Sequence, residues 1–391
     1  MVRVLISGAG IAGPTLAYWL AHYGFTPTLI EAAPQLRTGG YVIDFWGLGY
    51  TIAERMGLLP EIQRCGYRVR EVRVVDRRGR RAAGFPAESF SRLAGGHYVS
   101  LSRGDLAAAI FHALAGRVET IFGDTVENIE ESPETVRVAF AHSPAREFDL
   151  VIGADGLHSG VRRLRFGPDE RYERYLGIKV AAFETRGYRP RDELVYIMYS
   201  EVGRQAARFA MRDDRTLFLL TFLDGEPAIP RLPADQKTFL HERFAGAGWE
   251  CPRILDVLDE AEEVYFDRIS QIRMDGWTRG RVALLGDAAF CVSLLAGQGS
   301  SLAMAAAYIL AGELHRAHGD YAAAFARYQD RFAPFVAAKQ RNALRLGNTF
   351  APPSHLSLFL RNRVMNLLSF PWVADWVAGR GLADRLDLPD Y

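Results

Sequence analysis

Cysteine is scarce in this 391-residue sequence. Cys65, Cys251 and Cys291 stand far apart and form no C-x-x-C or zinc-ligand spacing. That predicts a reducing compartment and no metal centre. An excess of one charge is also missing: 47 Lys and Arg against 46 Asp and Glu leave a net charge of +1. No global field therefore draws the chain to nucleic acid or to an anionic membrane. No apolar run is long and charge-free enough to span a bilayer. The sequence opens without a basic region, an apolar stretch and a small-residue cleavage site. Repeats and low-complexity tracts are absent. These absences predict a cytoplasmic chain with no nucleic-acid partner and no stable membrane association. The nine histidines are scattered, and no Ser-His-Asp arrangement accompanies them.

What is present suits a globular protein: 49% hydrophobic and 24% charged residues. The length exceeds one core, so two interleaved domains are expected. The N-terminal stretch organises the rest. A β-rich run, Val2–Ser7, meets Gly8, Gly10 and Gly13 at G-x-G-x-x-G spacing, and a helix-forming run follows. Gly8 permits the tight turn, Gly10 lets backbone approach a pyrophosphate, and Gly13 lets helix pack on strand. The helix N-terminus offers free N–H groups to phosphate. A second strand, Thr26–Glu31, ends in an acid about 20 residues on, placed for a ribose hydroxyl.

Two later stretches repeat the strand-then-loop pattern. A strand at 148–152 runs into Gly153-Ala154-Asp155-Gly156, and one at 281–285 runs into Gly286-Asp287. Both place an aspartate at the carboxyl end of a strand, where ligands bind in doubly wound folds. Taken singly, Asp155 reads equally as a helix cap and Asp287 as a turn residue. A helix opens near Gly297-Gln298-Gly299-Ser300, and residues 177–223 read as consecutive strands dense in aromatic and Met residues.

These three motifs, in this order, resemble the group A FAD-dependent monooxygenases, the family of para-hydroxybenzoate hydroxylase and the tetracycline-inactivating flavin enzymes. The resemblance covers essentially the whole chain. It implies an α/β architecture with a Rossmann-like FAD-binding domain, a β-sheet substrate domain and C-terminal helices. The FAD-binding domain would comprise residues 1–70, 97–170 and 270–350. The substrate domain would comprise 71–96 and 171–269, with a helical segment over 351–391. It implies hydroxylation or epoxidation of an aromatic or polycyclic molecule through a flavin C4a-hydroperoxide, as in secondary metabolism. NADPH or NADH would donate electrons transiently, dioxygen would be the co-substrate, and the chain would be a monomer or homodimer.

Carried over by residue, the resemblance gives Gly8, Gly10, Ala12 and Gly13 to the pyrophosphate and Glu31 to the ribose. Arg37, Arg103, Asp155 and Asp287 join the cofactor contacts, and Asp44 sits near the flavin ring. Gly297, Gly299 and Ser300 lie against the pyrimidine edge. Arg37 reads equally as a solvated surface charge. Chemistry centred on the flavin needs no separate catalytic side chain, and none is assigned. Strand alternation and size nominate Tyr196, Met198, Phe209, Met211 and Phe222 for the substrate wall. Asp155, Arg162 and Arg163 mark the groove for the nicotinamide nucleotide. The chain departs from the family pattern at Ala32, Phe290, Leu294, Ser301 and Ala306. A flavin reductase or oxidase, or a non-catalytic flavoprotein that sequesters a ligand, are the alternatives.

Overall fold

The computed structural model describes residues 1–36, 41–88, 96–370 and 386–391, and the side chains of all of these except 345–349. Apolar strands joined by helices build a six-stranded sheet. Its order is Thr278–Arg279, Val282–Leu284, Leu150–Gly153, Arg3–Ser7, Thr26–Glu31, Glu119–Phe122. All neighbours run parallel except the first pair. The carboxyl ends of Arg3–Ser7, Leu150–Gly153 and Val282–Leu284 therefore lie side by side. This brings Gly8, Ala154 and Gly286 together from three distant parts of the chain. Helices Ala12–His22 and Gly299–Arg316 pack on each other and cover this sheet.

The second sheet has seven strands, ordered Tyr265–Ile272, Glu173–Arg186, Arg215–Leu223, Arg204–Ala210, Val195–Glu201, Glu71–Val75, Arg81–Pro86. One face packs on helices Pro233–Phe244 and Cys251–Glu260 through Phe218, Leu220 and Phe222. Period-two alternation turns Leu217 and Leu219 of the same strand to the other face. Helix His355–Leu367 lies across the far end of this sheet. Residues 386–391 return to the first sheet's helices, where the Tyr391 ring lies against Gly312. The Tyr391 hydroxyl donates to Glu313 Oε1 at 2.8 Å. No helix among the described residues is long and apolar enough to cross a membrane.

Most departures from the family pattern have local reasons. Phe290 is buried among Trp277 and Phe332, with ring centroids 4.7 and 5.4 Å away. Ser301 donates to the Trp46 carbonyl at 2.7 Å, beside Gly49, where an added Cβ would meet Ser301 Cα at 2.5 Å. Ala306 is wholly buried inside its helix, and Ala32 is exposed.

Candidate functional site

A cavity of about 460 Å³ opens between the two sheets. Its floor is the carboxyl edge of the first sheet. Gly8 has φ +106°, and a Cβ there would lie 2.5 Å from the Ala154 carbonyl oxygen; one on Gly13 would lie 1.9 Å from the Gly8 carbonyl oxygen. Both glycines are thus required by the protein's own packing. Gly10 differs: it lines the cavity, and the nearest atom to an added Cβ is Arg103 Nη2 at 3.6 Å. Glu31 fastens the loop, accepting from Ala9 N at 2.8 Å and Ala33 N at 2.9 Å.

Ala12, Asp44, Arg103, Asp287, Gly297, Gly299 and Ser300 line the same cavity. The Asp287 side chain is exposed onto the cavity. The protein around it strips part of its hydration and pushes its pKa up, against the opposing pull of Arg103 and a hydrogen bond with Cys291. Burial likewise raises Asp44, while hydrogen bonds to its Oδ1 from Tyr98 and Ser100, both 2.7 Å, oppose the shift. Tyr41 is pushed up to about 12, chiefly by burial. Two helix N-termini reach this floor, at Ala12 and at Gly299, and neither has a side-chain cap. By contrast, Ser102, Ser159 and Asp320 cap helices elsewhere. Uncapped N–H groups facing a cavity are an anion site.

The opposite wall is the free face of the second sheet. Tyr196, Met198 and Phe209 line it, with Tyr196 and Phe209 stacked at 4.4 Å between centroids. Phe222 does not: it points to the helical face, among Phe239, Phe244 and Phe266. Its strand has the opposite parity from the one assumed. Met211 shares Phe209's face but lies past the end of the strand Arg204–Ala210, buried beside Tyr67 and Leu217. Alternation stops where the strand stops. Gln205, Tyr265 and Arg361 also line the cavity, and sequence reasoning passed over all three. Burial pulls Arg361 down to about 10.

Two further expectations change. Asp155 does not line the cavity. Its carboxylate turns into its own loop, accepting from Ser159 Oγ at 2.5 Å and Val161 N at 3.1 Å. Burial raises its pKa against those hydrogen bonds. Arg162 is fully buried and bonds the carbonyls of Leu157 and Ala288 and the Asp169 carboxylate. It therefore cannot face a nucleotide in a surface groove, although Arg163, half-exposed, still can. Arg37 lies outside the described residues.

His158, in the same loop, reaches across to the second sheet. Its Nε2 lies 3.3 Å from both oxygens of Asp267. This hydrogen bond raises the imidazole pKa; burial and Arg268 oppose it, and Glu173 adds to it. A raised folded pKa means the pair's contribution is fully present below the ordinary histidine range. It is lost as pH rises through the folded value. Wild type should therefore melt above His158→Gln at pH 5.5, and the gap should close by pH 8.5. The imidazole is half-exposed, so the gap should be small. A gap independent of pH would show that the ion pair is not its source.

The floor fits FAD, the group that the resemblance implies. Gly10 leaves backbone open where a Cβ would intrude, and two uncapped helix ends supply N–H groups for a pyrophosphate. Ser293 Oγ and Gln298 Nε2 are buried in the loop before helix Gly299–Arg316, with no hydrogen-bond partner among the described residues. Of the two, Ser293 lines the cavity, where a flavin rim carries donors and acceptors that would satisfy its hydroxyl. Ser293 also holds φ +88°, a strained conformation for a residue with a side chain.

Comparison with known proteins agrees. A family model described as an FAD binding domain matches residues 112–342. An uncharacterised Mycobacterium tuberculosis protein is 40% identical over 87% of this chain and 92% of its own length. A flavin-dependent monooxygenase of Legionella longbeachae is 35% identical over 91% of each chain. The crystal structure of the tetracycline destructase Tet(51) superposes over the full length of both chains, with a TM-score of 0.86 and 31% identity. The cavity, its glycine floor and these relatives together establish that the chain belongs to the FAD-dependent monooxygenases.

Proposed function

We propose that this enzyme takes electrons from NADPH or NADH and inserts one atom of dioxygen into an aromatic or polycyclic small molecule. The observation that carries the reading is the single cavity with the glycine loop, Arg103 and Asp287 at one end and an aromatic sheet face at the other. FAD, when bound, supplies the two-electron and oxygen chemistry. The chain's residues do the rest. Gly10, Ala12, Arg103 and Asp287 hold the cofactor. The helix end at Gly299–Ser301 favours negative charge beside it by about 1–2 kcal/mol. Tyr196, Met198 and Phe209 present the substrate and keep water out. Nicotinamide binds transiently at the mouth, near Gly156 and Arg163. Residues 1–70, 97–170 and 270–350 form the cofactor half of this arrangement.

The likeness to tetracycline destructases makes tetracycline the first compound to assay, with flavonoids and anthraquinones beside it. Holoprotein is incubated with each compound, NADPH and ¹⁸O-labelled dioxygen. Substrate-stimulated NADPH oxidation should accompany one labelled oxygen in the product. NADPH oxidation that any compound stimulates while every product stays unlabelled would overturn oxygen insertion.

A further inference from the structure

Three hydrogen bonds grip the chain just before Ser293, in the loop that joins the floor residues Asp287 and Gly299. Gln271 Nε2 donates to the Val292 carbonyl at 3.1 Å and to the Gln340 carbonyl at 2.9 Å. Gln340 Nε2 donates to the Cys291 carbonyl at 3.2 Å and to the Ile272 carbonyl at 2.7 Å. The Ile272 amide donates to the Cys291 carbonyl as well, at 3.0 Å. Both glutamines are buried. Beyond Ser293 the chain turns at once into the short 3-10 helix Leu294–Ala296, and the Ala296 amide returns to the Ser293 carbonyl at 3.2 Å. Ser293 takes up the misfit between these two fixed segments, at φ +88° and ψ 156°. Such conformations persist only where the surroundings impose them, and they gather at ligand sites. The side chain is unsatisfied too. Ser293 is 4% exposed, and its Oγ is sealed from solvent with no hydrogen-bond partner among the described residues. A buried hydroxyl left unpaired is costly. The residue lines the cavity, and rotation about one bond, Cα–Cβ, swings Oγ between its staggered positions.

We propose that the Ser293 hydroxyl donates a hydrogen bond to the flavin ring of FAD, and that the strained backbone is retained for this contact. The ligand-free protein carries two costs at Ser293, the strain and the unpaired hydroxyl. Bound FAD relieves the second. The ring gains negative charge on reduction, and a hydrogen bond to a charged acceptor is the stronger kind. The contact therefore favours the reduced cofactor over the oxidised one. The proposal rests on FAD occupying the floor, and none of its readouts needs a substrate.

The test compares Ser293→Ala and Ser293→Gly with wild type. Calorimetry follows melting of the apo forms, and fluorescence titration gives the FAD affinity. Apo Ser293→Gly should melt above wild type, because glycine adopts this backbone conformation without strain. Apo Ser293→Ala should melt no lower than wild type, because the unpaired hydroxyl is gone. Both variants should nevertheless bind FAD about tenfold more weakly. A residue that serves packing alone would move stability and affinity in the same direction. The reduction potential of the bound flavin should fall in Ser293→Ala, by about 30 mV for each tenfold by which reduced FAD loses more affinity than oxidised FAD. Unchanged FAD affinity in Ser293→Ala would overturn the contact. Weakened FAD at an unchanged potential would overturn the flavin ring as the acceptor. Apo stability and FAD affinity that fall together in both variants would leave Ser293 a packing residue.

Discussion

Gly10→Val yields a folded protein that does not retain FAD, whereas Gly13→Val yields one that does not fold. The two glycines belong to one motif, but their surroundings differ. An added Cβ at Gly13 lies 1.9 Å from the Gly8 carbonyl oxygen, a backbone atom that cannot move aside. Gly8 is itself locked against Ala154, so strain at Gly13 spreads to the junction of two central strands. A loss of more than about 4 kcal/mol is expected, in the range reserved for overpacking and backbone strain. At Gly10 the nearest atom is the end of the Arg103 side chain, at 3.6 Å. The apo melting temperature should stay within about 2 °C of wild type, as for a surface change. The FAD dissociation constant should rise at least about a hundredfold, or about 3 kcal/mol. Calorimetry of the apo forms and fluorescence titration with FAD measure both halves. Normal FAD affinity in Gly10→Val would mean that the pyrophosphate lies elsewhere.

Arg162→Met should destabilise the protein by about 3–5 kcal/mol, the cost of breaking a buried ion pair. The side chain is fully buried. Its removal unpairs the carbonyls of Leu157 and Ala288 and takes from Asp169 its 2.6 Å partner. Burial works to raise the Asp169 pKa, and Arg162 with Arg163 overrides it, holding the carboxyl below the usual range. Leu157 lines the cavity and Ala288 follows Asp287, so FAD retention should fall with stability. The double variant Arg162→Met/Asp169→Leu should lose less than Arg162→Met alone, because it also removes the half-buried Asp169 carboxylate, which would otherwise keep only Arg163, at 3.0 Å. Denaturant midpoints of the two variants decide this. An unchanged midpoint with a raised KM for NADPH would return Arg162 to the nucleotide groove.

The floor of the site is legible in the order of residues along the chain. Gly8–Gly13, Gly286-Asp287 and Gly297–Ser300 are backbone features, in which strand, glycine turn and helix start follow one another along the chain. Their φ/ψ demands are written in adjacent residues. Strand order follows once the linking helices force parallel pairing. The acid ending the second strand, Glu31, read as a ribose ligand, accepts instead from the backbone of Ala9 and Ala33 and does not line the cavity. Ser301 and Ala306 looked like defects in that pattern and are ordinary packing positions instead.

Which way side chains face, and which partners they take, follows from the assembled fold. Phe209 reaches the cavity, Met211 overshoots it and Phe222 turns away, because a strand's end and parity are set by its neighbours in the sheet. Arg162 reads as a surface cation until the loops carrying Leu157 and Ala288 close around it. Arg361 stands in a helix whose leucines and phenylalanines suggest an apolar inner face, yet the sheet receives the arginine. Local sequence fixes backbone conformation through short-range sterics and hydrogen bonds. Facing and partnership depend on segments more than a hundred residues away, such as Gln205 for Arg361 and Ala288 for Arg162.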